Sequence, residues 1–156
     1  MLGAVEQAMI RLYQERDREE IIDIWHQASL LAHSFLTEIF LEEEKNNLRD
    51  IFIPKSQTWV YEEEDKVMGF IALQENEVGG IFIHPSKQRQ GIGRALMDKA
   101  SCLHEVLELE VFERNHQGRA FYAKYGFIPI RKYREKTTGE MMIRLRYEKK
   151  NCDKQE

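Results

Sequence analysis

The residues best suited to chemistry lie in Gln88-Arg89-Gln90-Gly91-Ile92-Gly93-Arg94-Ala95-Leu96, where two glycines two positions apart lead into a run of helical composition. Glycine lets the backbone turn so that successive N–H groups converge on one point, and the following helix adds its positive N-terminal end. Such a loop holds an anion, above all a phosphate. Arg89 and Arg94 would add charge beside it. The plain alternative is a strand-to-helix connection that uses glycine only for turning.

Three kinds of phosphate loop compete for this stretch. A P-loop needs GxxxxGK followed by Ser or Thr, and the chain has none. A dinucleotide fingerprint, GxGxxG, is met at Gly91 and Gly93 but has Leu96 at its third glycine, although Glu110 stands near the place of a ribose-binding acid. Against that reading, Gly91 follows the strand-end residue His84 by seven positions rather than by a tight turn. The third pattern starts further left, as Gln88-x-x-Gly91-x-Gly93 behind an apolar strand and Pro85.

The elements that must position this loop follow from periodicity. Alternation of apolar and polar residues predicts strands over 9–14, 58–61, 67–73, 78–84 and 106–112, with weaker ones over 127–133 and 140–147. Asp17 and Glu20 have the spacing of a capping box. They would open a helix that buries Ile21, Ile24, Trp25, Ala28 and Leu31. A second helix is expected over 34–50 with Phe35, Ile39, Phe40 and Leu48 inward, and others over 91–103 and 116–125, the last stopped by Gly126. The order β-α-α-β-β-β-α-β-α-β-β predicts an α+β domain with one mostly antiparallel sheet, whose parallel βαβ crossover runs from 78 to 112.

Bulk properties narrow the classes. The chain has 156 residues, 42% apolar and 32% charged, with net charge −4, which suits one soluble domain and gives no footprint for nucleic acid. No apolar stretch approaches the roughly 20 residues that span a bilayer. Residues 1–8 lack signal-peptide features and read as a flexible leader, the domain as 9–148 and the tail as 149–156. Cys102 and Cys152 offer neither a disulfide framework nor metal-ligand spacing, and Cys102 reads as core. A reducing cytoplasm is the implied compartment, with no membrane partner.

A second motif lies in LEVFERNHQGRAFYAKYGF, where Asn115 is followed seven residues later by Tyr122 and then by Gly126-Phe127. Together with the glycine loop, in this order and on these elements, the chain from Met9 to Tyr147 resembles the GNAT superfamily of N-acetyltransferases, in its small bacterial single-domain form. Gly118 departs mildly from the alanine common three residues after the asparagine. The resemblance implies a three-layer fold with about 6–7 strands and about 4 helices, strands four and five splaying apart.

It also implies acetyl-CoA as co-substrate, with no metal and no covalent acetyl-enzyme. Gln88, Arg89, Gln90, Gly91, Ile92, Gly93 and Arg94 would hold its pyrophosphate. Ile81, Phe82 and Ile83 would pair with the pantetheine arm, Gly79-Gly80 easing a bulge there, and Asn115 would bond the cofactor. Tyr122 matches the general acid that meets the leaving thiolate. Because an amine of pKa roughly 10.4 is mostly ammonium at pH 7, a base is also needed. Glu110, Glu77 and His33 are the candidates, each with a plain alternative as a polar strand residue or a packed histidine. Tyr125 reads as packing. The acceptor stays open among small-molecule amines, peptide N-termini and lysines, and the acidic runs 42–44 and 62–65 would attract a cation or merely face water. A non-catalytic acetyl-CoA-binding regulatory module is the rival class, and the molecule is expected as monomer or homodimer.

Overall fold

The computed structural model describes residues 8–149, so the expected leader and tail lie outside it except for Ala8 and Lys149, and Ala8 opens the first strand. In chain order the elements are β1 (Ala8–Leu12), α1 (Arg18–Ala32), α2 (Glu38–Asn47), a π-helical turn (Leu48–Phe52) and the one-turn α3 (Ile53–Lys55). Then come β2 (Gln57–Glu63), β3 (Lys66–Gln74), β4 (Glu77–Ile83), α4 (Ile92–Leu103), β5 (Val106–Phe112), α5 (His116–Tyr125), β6 (Ile128–Arg134) and β7 (Met141–Glu148). The seven strands form one sheet in the order β1-β2-β3-β4-β5-β7-β6, and only β4–β5 is parallel.

Two apolar clusters make the layers. Ile21, Ile24 and Trp25 of α1 pack with Val60, Phe70 and Ala72 on one side. Ile92, Leu96, Met97 and Ala100 of α4 pack with Leu107, Leu109 and Val111 on the other. In β5 the alternation is clean: those three apolar residues are buried and the intervening ones are not. One face of β5 therefore carries Glu108, Glu110 and Phe112.

Four local expectations differ from the structure. Asp17 and Glu20 form no capping box. Asp17 is 1% exposed and takes a forked pair from Arg11, Nη1 at 2.8 Å and Nη2 at 3.0 Å, tying β1 to the start of α1. Glu20 instead accepts from Val67 N at 3.4 Å. Leu31 is 63% exposed, because the last turn of α1 runs past the sheet and borders a cleft through Ala28, Ser29 and Ala32. The second helix begins only at Glu38, since the chain first turns about His33 (Leu36 N to His33 O, 3.0 Å) and Thr37 then caps it by accepting from Phe40 N at 3.1 Å. Phe35 therefore precedes that helix, and Ile39 is 74% exposed while Leu41 is buried. Cys102, expected in the core, is exposed.

The strand pairing makes the cleft. Between β3 and β4 the register jumps from Ala72↔Gly80 to Leu73↔Val78, so Gly79 is the bulged residue. A Cβ at Gly79 would stand 1.9 Å from Phe52 Cζ, so the ring of the π-helical turn lies against the bulge and would have to shift for a side chain there. Between β4 and β5 the one registered pair is Glu77↔Glu108, beyond which the two strands part.

Candidate active site

A cleft of about 1590 Å³ opens where β4 and β5 diverge, bordered by α1, α2, the start of α4, α5 and the β6–β7 connection. Its β4 wall has an edge without strand partners. His84 N donates to Met68 O on β3 at 2.8 Å, so alternation turns the backbone groups of Phe82 to β3 as well and those of Ile81 and Ile83 into the gap. The Phe82 ring, 5.7 Å from that of Phe70, lines the α1 side of the cleft instead. Of the three β4 residues expected to pair with a ligand, Ile81 and Ile83 have the geometry for it.

The glycine loop closes one end. Gln88 reaches back, Nε2 to Ile83 O at 3.3 Å, and Arg89 adopts φ 66°. Gly91 enters α4 with φ 87°, a left-handed conformation that a Cβ would strain. The first helical bond is Ala95 N to Gly91 O at 3.0 Å, and no side chain caps this end. The N–H groups of Ile92, Gly93 and Arg94 thus point out of the helix start, where an anion is favoured. The Ile92 side chain is buried at 3% exposure, so only its backbone can serve a ligand. Gln90 is exposed, donates to Ser86 O at 3.4 Å and does not line the cleft. Gly93 has a second duty: a Cβ there would lie 3.3 Å from Phe121 of α5, so glycine also sets the approach of the two helices.

Tyr122, Asn115 and His33 all line the same cleft. Burial pushes the Tyr122 phenol well above its ordinary value, so it stays protonated. Its ring packs against Phe121 and Phe127, and its hydroxyl has no hydrogen bond among the described residues. Asn115 caps α5, Oδ1 accepting from Gly118 N at 2.9 Å, while Nδ2 stands 3.3 Å from His33 Nε2. A Cβ at Gly118 would be 2.6 Å from Asn115 Nδ2, so a side chain there would need the Asn115 amide to shift. Tyr125 is packing, as expected, with its hydroxyl donating to Asp98 Oδ1 at 2.7 Å.

His33 ends α1 between the rings of Phe35 and Phe112, and burial lowers it from 6.5 to about 4. It is therefore neutral at pH 7. The unfolded chain binds a proton at His33 between those two values and the folded chain does not, so stability falls as pH drops through that window. In urea titrations, the loss from pH 7 to about 4.5 is expected to be smaller by about 2 kcal/mol in His33→Gln than in the wild type. The same pH dependence in both proteins would mean that folded His33 takes up its proton near the ordinary value, as in the unfolded chain.

Glu77 and Glu110 also line the cleft, and a residue not expected from sequence joins them. Arg144 of β7 grips Glu77 with Nη2 at 2.5 Å and Nη1 at 3.1 Å, Glu108 with Nε at 2.8 Å, and Glu110 with Nη1 at 3.4 Å. Glu110 Oε1 accepts from the Tyr133 hydroxyl at 2.7 Å, and Arg131 lies 3.7 Å from its Oε2. Arg146 takes the other oxygen of Glu108 at 2.8 Å. Hydrogen bonds from Arg146 and then Arg144 hold Glu108 below the ordinary carboxylate range. The alternation Arg144-Leu145-Arg146 was the available signal, but it needed the β5–β7 register to become a contact.

Three further residues line the cleft: Glu44, from the acidic run 42–44, and Glu135 and Ser29, which the sequence did not single out. Burial pushes the Glu44 carboxyl of α2 up, and Glu135 adds to the push. Burial also raises Glu135, but hydrogen bonds from Thr138 and Thr137 outweigh it and hold that carboxyl low. Ser29 of α1 is fully buried and its Oγ has no partner. Among the described residues no cluster of His, Cys, Asp or Glu has metal-holding geometry, and no helix is long and apolar enough to cross a membrane.

Comparison with known proteins agrees with this architecture. The acetyltransferase (GNAT) domain family matches residues 54–129. The chain is 32% identical over 120 residues to the peptidyl-lysine N-acetyltransferase YiaC of Escherichia coli, covering 76% of this chain and 82% of that one. It is 33% identical over 119 residues to the peptidyl-lysine N-acetyltransferase YjaB of Salmonella typhimurium, covering 76% and 81%. The solution structure of apo-form YjaB from E. coli superposes with a TM-score of 0.82 at 27% identity, over 92% of this chain and 99% of that one. A Thermoplasma acidophilum PaiA N-acetyltransferase in complex with coenzyme A shares the fold, with a TM-score of 0.73 at 16% identity over 90% and 98% of the two chains.

Proposed function

The chain belongs to the GNAT family of acetyltransferases, and on that premise we propose that it moves an acetyl group from acetyl-CoA directly to a primary amine bound in the same cleft. One observation carries the reading: the unpaired edge of β4, the uncapped start of α4 and the Tyr122 phenol all border a single opening. These features fit acetyl-CoA piece by piece. An uncapped helix start suits a pyrophosphate, and a free strand edge suits an amide-bearing arm that adds as another strand. The thioester supplies the acetyl group and a thiolate leaving group.

The residues then divide the work. N–H groups of Ile92, Gly93 and Arg94, with the Arg89 and Arg94 guanidiniums, hold the phosphates. Ile81 and Ile83 pair with the arm, and a β4 N–H in the gap meets the negative charge that develops on the carbonyl oxygen. Glu110 takes the proton from the amine; it is preferred to Glu77, both of whose oxygens face Arg144. His33, with its low proton affinity, instead keeps Asn115 in place. Tyr122 donates a hydrogen bond to the leaving thiolate. With a thiol pKa near 8.5, the thiolate departs readily once that bond is offered.

For the acceptor we propose a lysine side chain of a protein or peptide. The activity named for the relatives supports it. So do Glu44 and Glu135, which border the cleft from α2 and from the β6–β7 connection. The test is thiol release from acetyl-CoA across a panel of lysine peptides, N-terminal amines, free amino acids and polyamines, with mass spectrometry of the products. Lysine peptides are expected to turn over fastest, and acetyl-CoA but not NAD is expected to raise the Tm. Binding without turnover on any amine would support a non-catalytic acetyl-CoA-binding module instead.

A further inference from the structure

We propose that Arg144 is a positioning residue for this reaction: at the fork of β4 and β5 it immobilises Glu77 and holds Glu110 aimed as the acceptor's base. The inference rests on the acetyl-transfer reading above and adds to it a residue outside both sequence motifs.

The placement is specific. Glu77 and Glu108 are the one registered pair between β4 and β5, and past them the strands separate into the cleft. Arg144 stands directly across from Glu110 in the β5–β7 register, and its side chain spans the fork to reach Glu77. One guanidinium thus bonds three carboxylates from two diverging strands. Its rigid planar array of N–H donors allows this, whereas a lysine could supply only a compact point charge.

The three contacts are unequal. Both Glu77 oxygens are forked by Arg144, and Glu108 shares its oxygens between Arg144 and Arg146. Glu110 has the longest contact, 3.4 Å, and keeps its remaining lone pairs for the cleft it lines. The charged and titratable groups facing Glu110 are Glu77 on β4, Glu108 on β5, Arg131 and Tyr133 on β6, and Arg144 and Arg146 on β7. His33, Glu44 and Glu135 face the cleft from its other walls. Without Arg144, Glu77 and Glu110 would face each other and Glu108 with too little positive charge between them. A carboxylate among like charges binds its proton more tightly.

The experiment is the pH dependence of kcat/KM, with acetyl-CoA affinity and Tm measured alongside, for the wild type and for Arg144→Gln, Arg144→Lys, Arg146→Gln and Glu110→Gln. In Arg144→Gln the acid break of the profile is expected to rise by about 0.5–1 pH unit and the plateau to fall about tenfold, with acetyl-CoA affinity unchanged. Arg144→Lys restores the break but only part of the plateau, because the charge returns without the fork. Arg146→Gln removes an equal charge from the same strand and is expected to shift the break by less than half as much. An unmoved break with a wild-type plateau in Arg144→Gln overturns the proposal, as does an equal shift in Arg146→Gln. If Arg144→Gln does not fold, Arg144→Lys decides: a wild-type plateau there overturns it. Wild-type turnover in Glu110→Gln would instead defeat the assignment of Glu110 as base, whereas loss of turnover in Glu110→Gln beside an unchanged Arg144→Gln defeats only the role of Arg144.

Discussion

Tyr122→Phe is expected to lower kcat by about a hundredfold while acetyl-CoA binds within about twofold of the wild type. The phenol is raised by burial, so at neutral pH it carries its proton and does not compete as an anion. A thiol near pKa 8.5 is the stronger acid of the two, so complete transfer from tyrosine to thiolate is uphill. What Tyr122 supplies is a hydrogen bond that strengthens as charge gathers on sulfur, an interaction made in the transition state and not in the ground state. Phenylalanine keeps the ring contacts with Phe121 and Phe127 and removes only the donor, so the fold and Tm should be preserved. Steady-state kinetics beside equilibrium binding checks it, and wild-type turnover in the variant would remove the assignment.

Glu110→Gln is expected to lower kcat/KM at pH 7 by about a hundredfold, and the deficit should shrink as pH rises. At pH 7 only about one lysine-like amine in a few thousand is unprotonated. A base that takes the proton inside the cleft therefore matters most at neutral pH and least near the amine's own pKa. Glutamine keeps the size of the side chain and can still accept from the Tyr133 hydroxyl, but it cannot take a proton. The contrast between the two variants is informative: the Glu110→Gln deficit narrows with pH, whereas the Tyr122→Phe deficit stays nearly constant up to pH 9. A Glu110→Gln deficit that does not change with pH would move the base elsewhere in the cleft.

Much of the fold was legible because it depends on local chemistry. The period-two runs that became β2, β3, β4 and β5, and the apolar spacing of α4, require only that each segment bury one face. Errors appeared where a local pattern met a tertiary alternative. Asp17 has the type and spacing of a cap toward Glu20, but its carboxylate takes the forked pair from Arg11 on β1 and the Gln14 N–H at 2.8 Å, closing a capping box one turn earlier. Ile39 fits the helical stripe, yet the turn about His33 delayed α2 and rotated Leu41 inward instead.

The site divides in the same way. From the sequence alone come the glycine loop at the start of α4 and the Asn115–Tyr122–Gly126 spacing on α5, because a left-handed turn, an open helix start and a cap are demands that a few adjacent residues satisfy or fail. Only the tertiary structure decided that the backbone groups of Phe82 turn to β3 while those of Ile81 and Ile83 face the gap, since strand register sets that direction. Only it decided that His33 is buried to the point of neutrality and that Arg144 links Glu77 to Glu110 across 67 and 34 residues of chain. Proton affinity and ion pairing depend on which charges are brought near and how much water is excluded, and no run of adjacent residues contains that information.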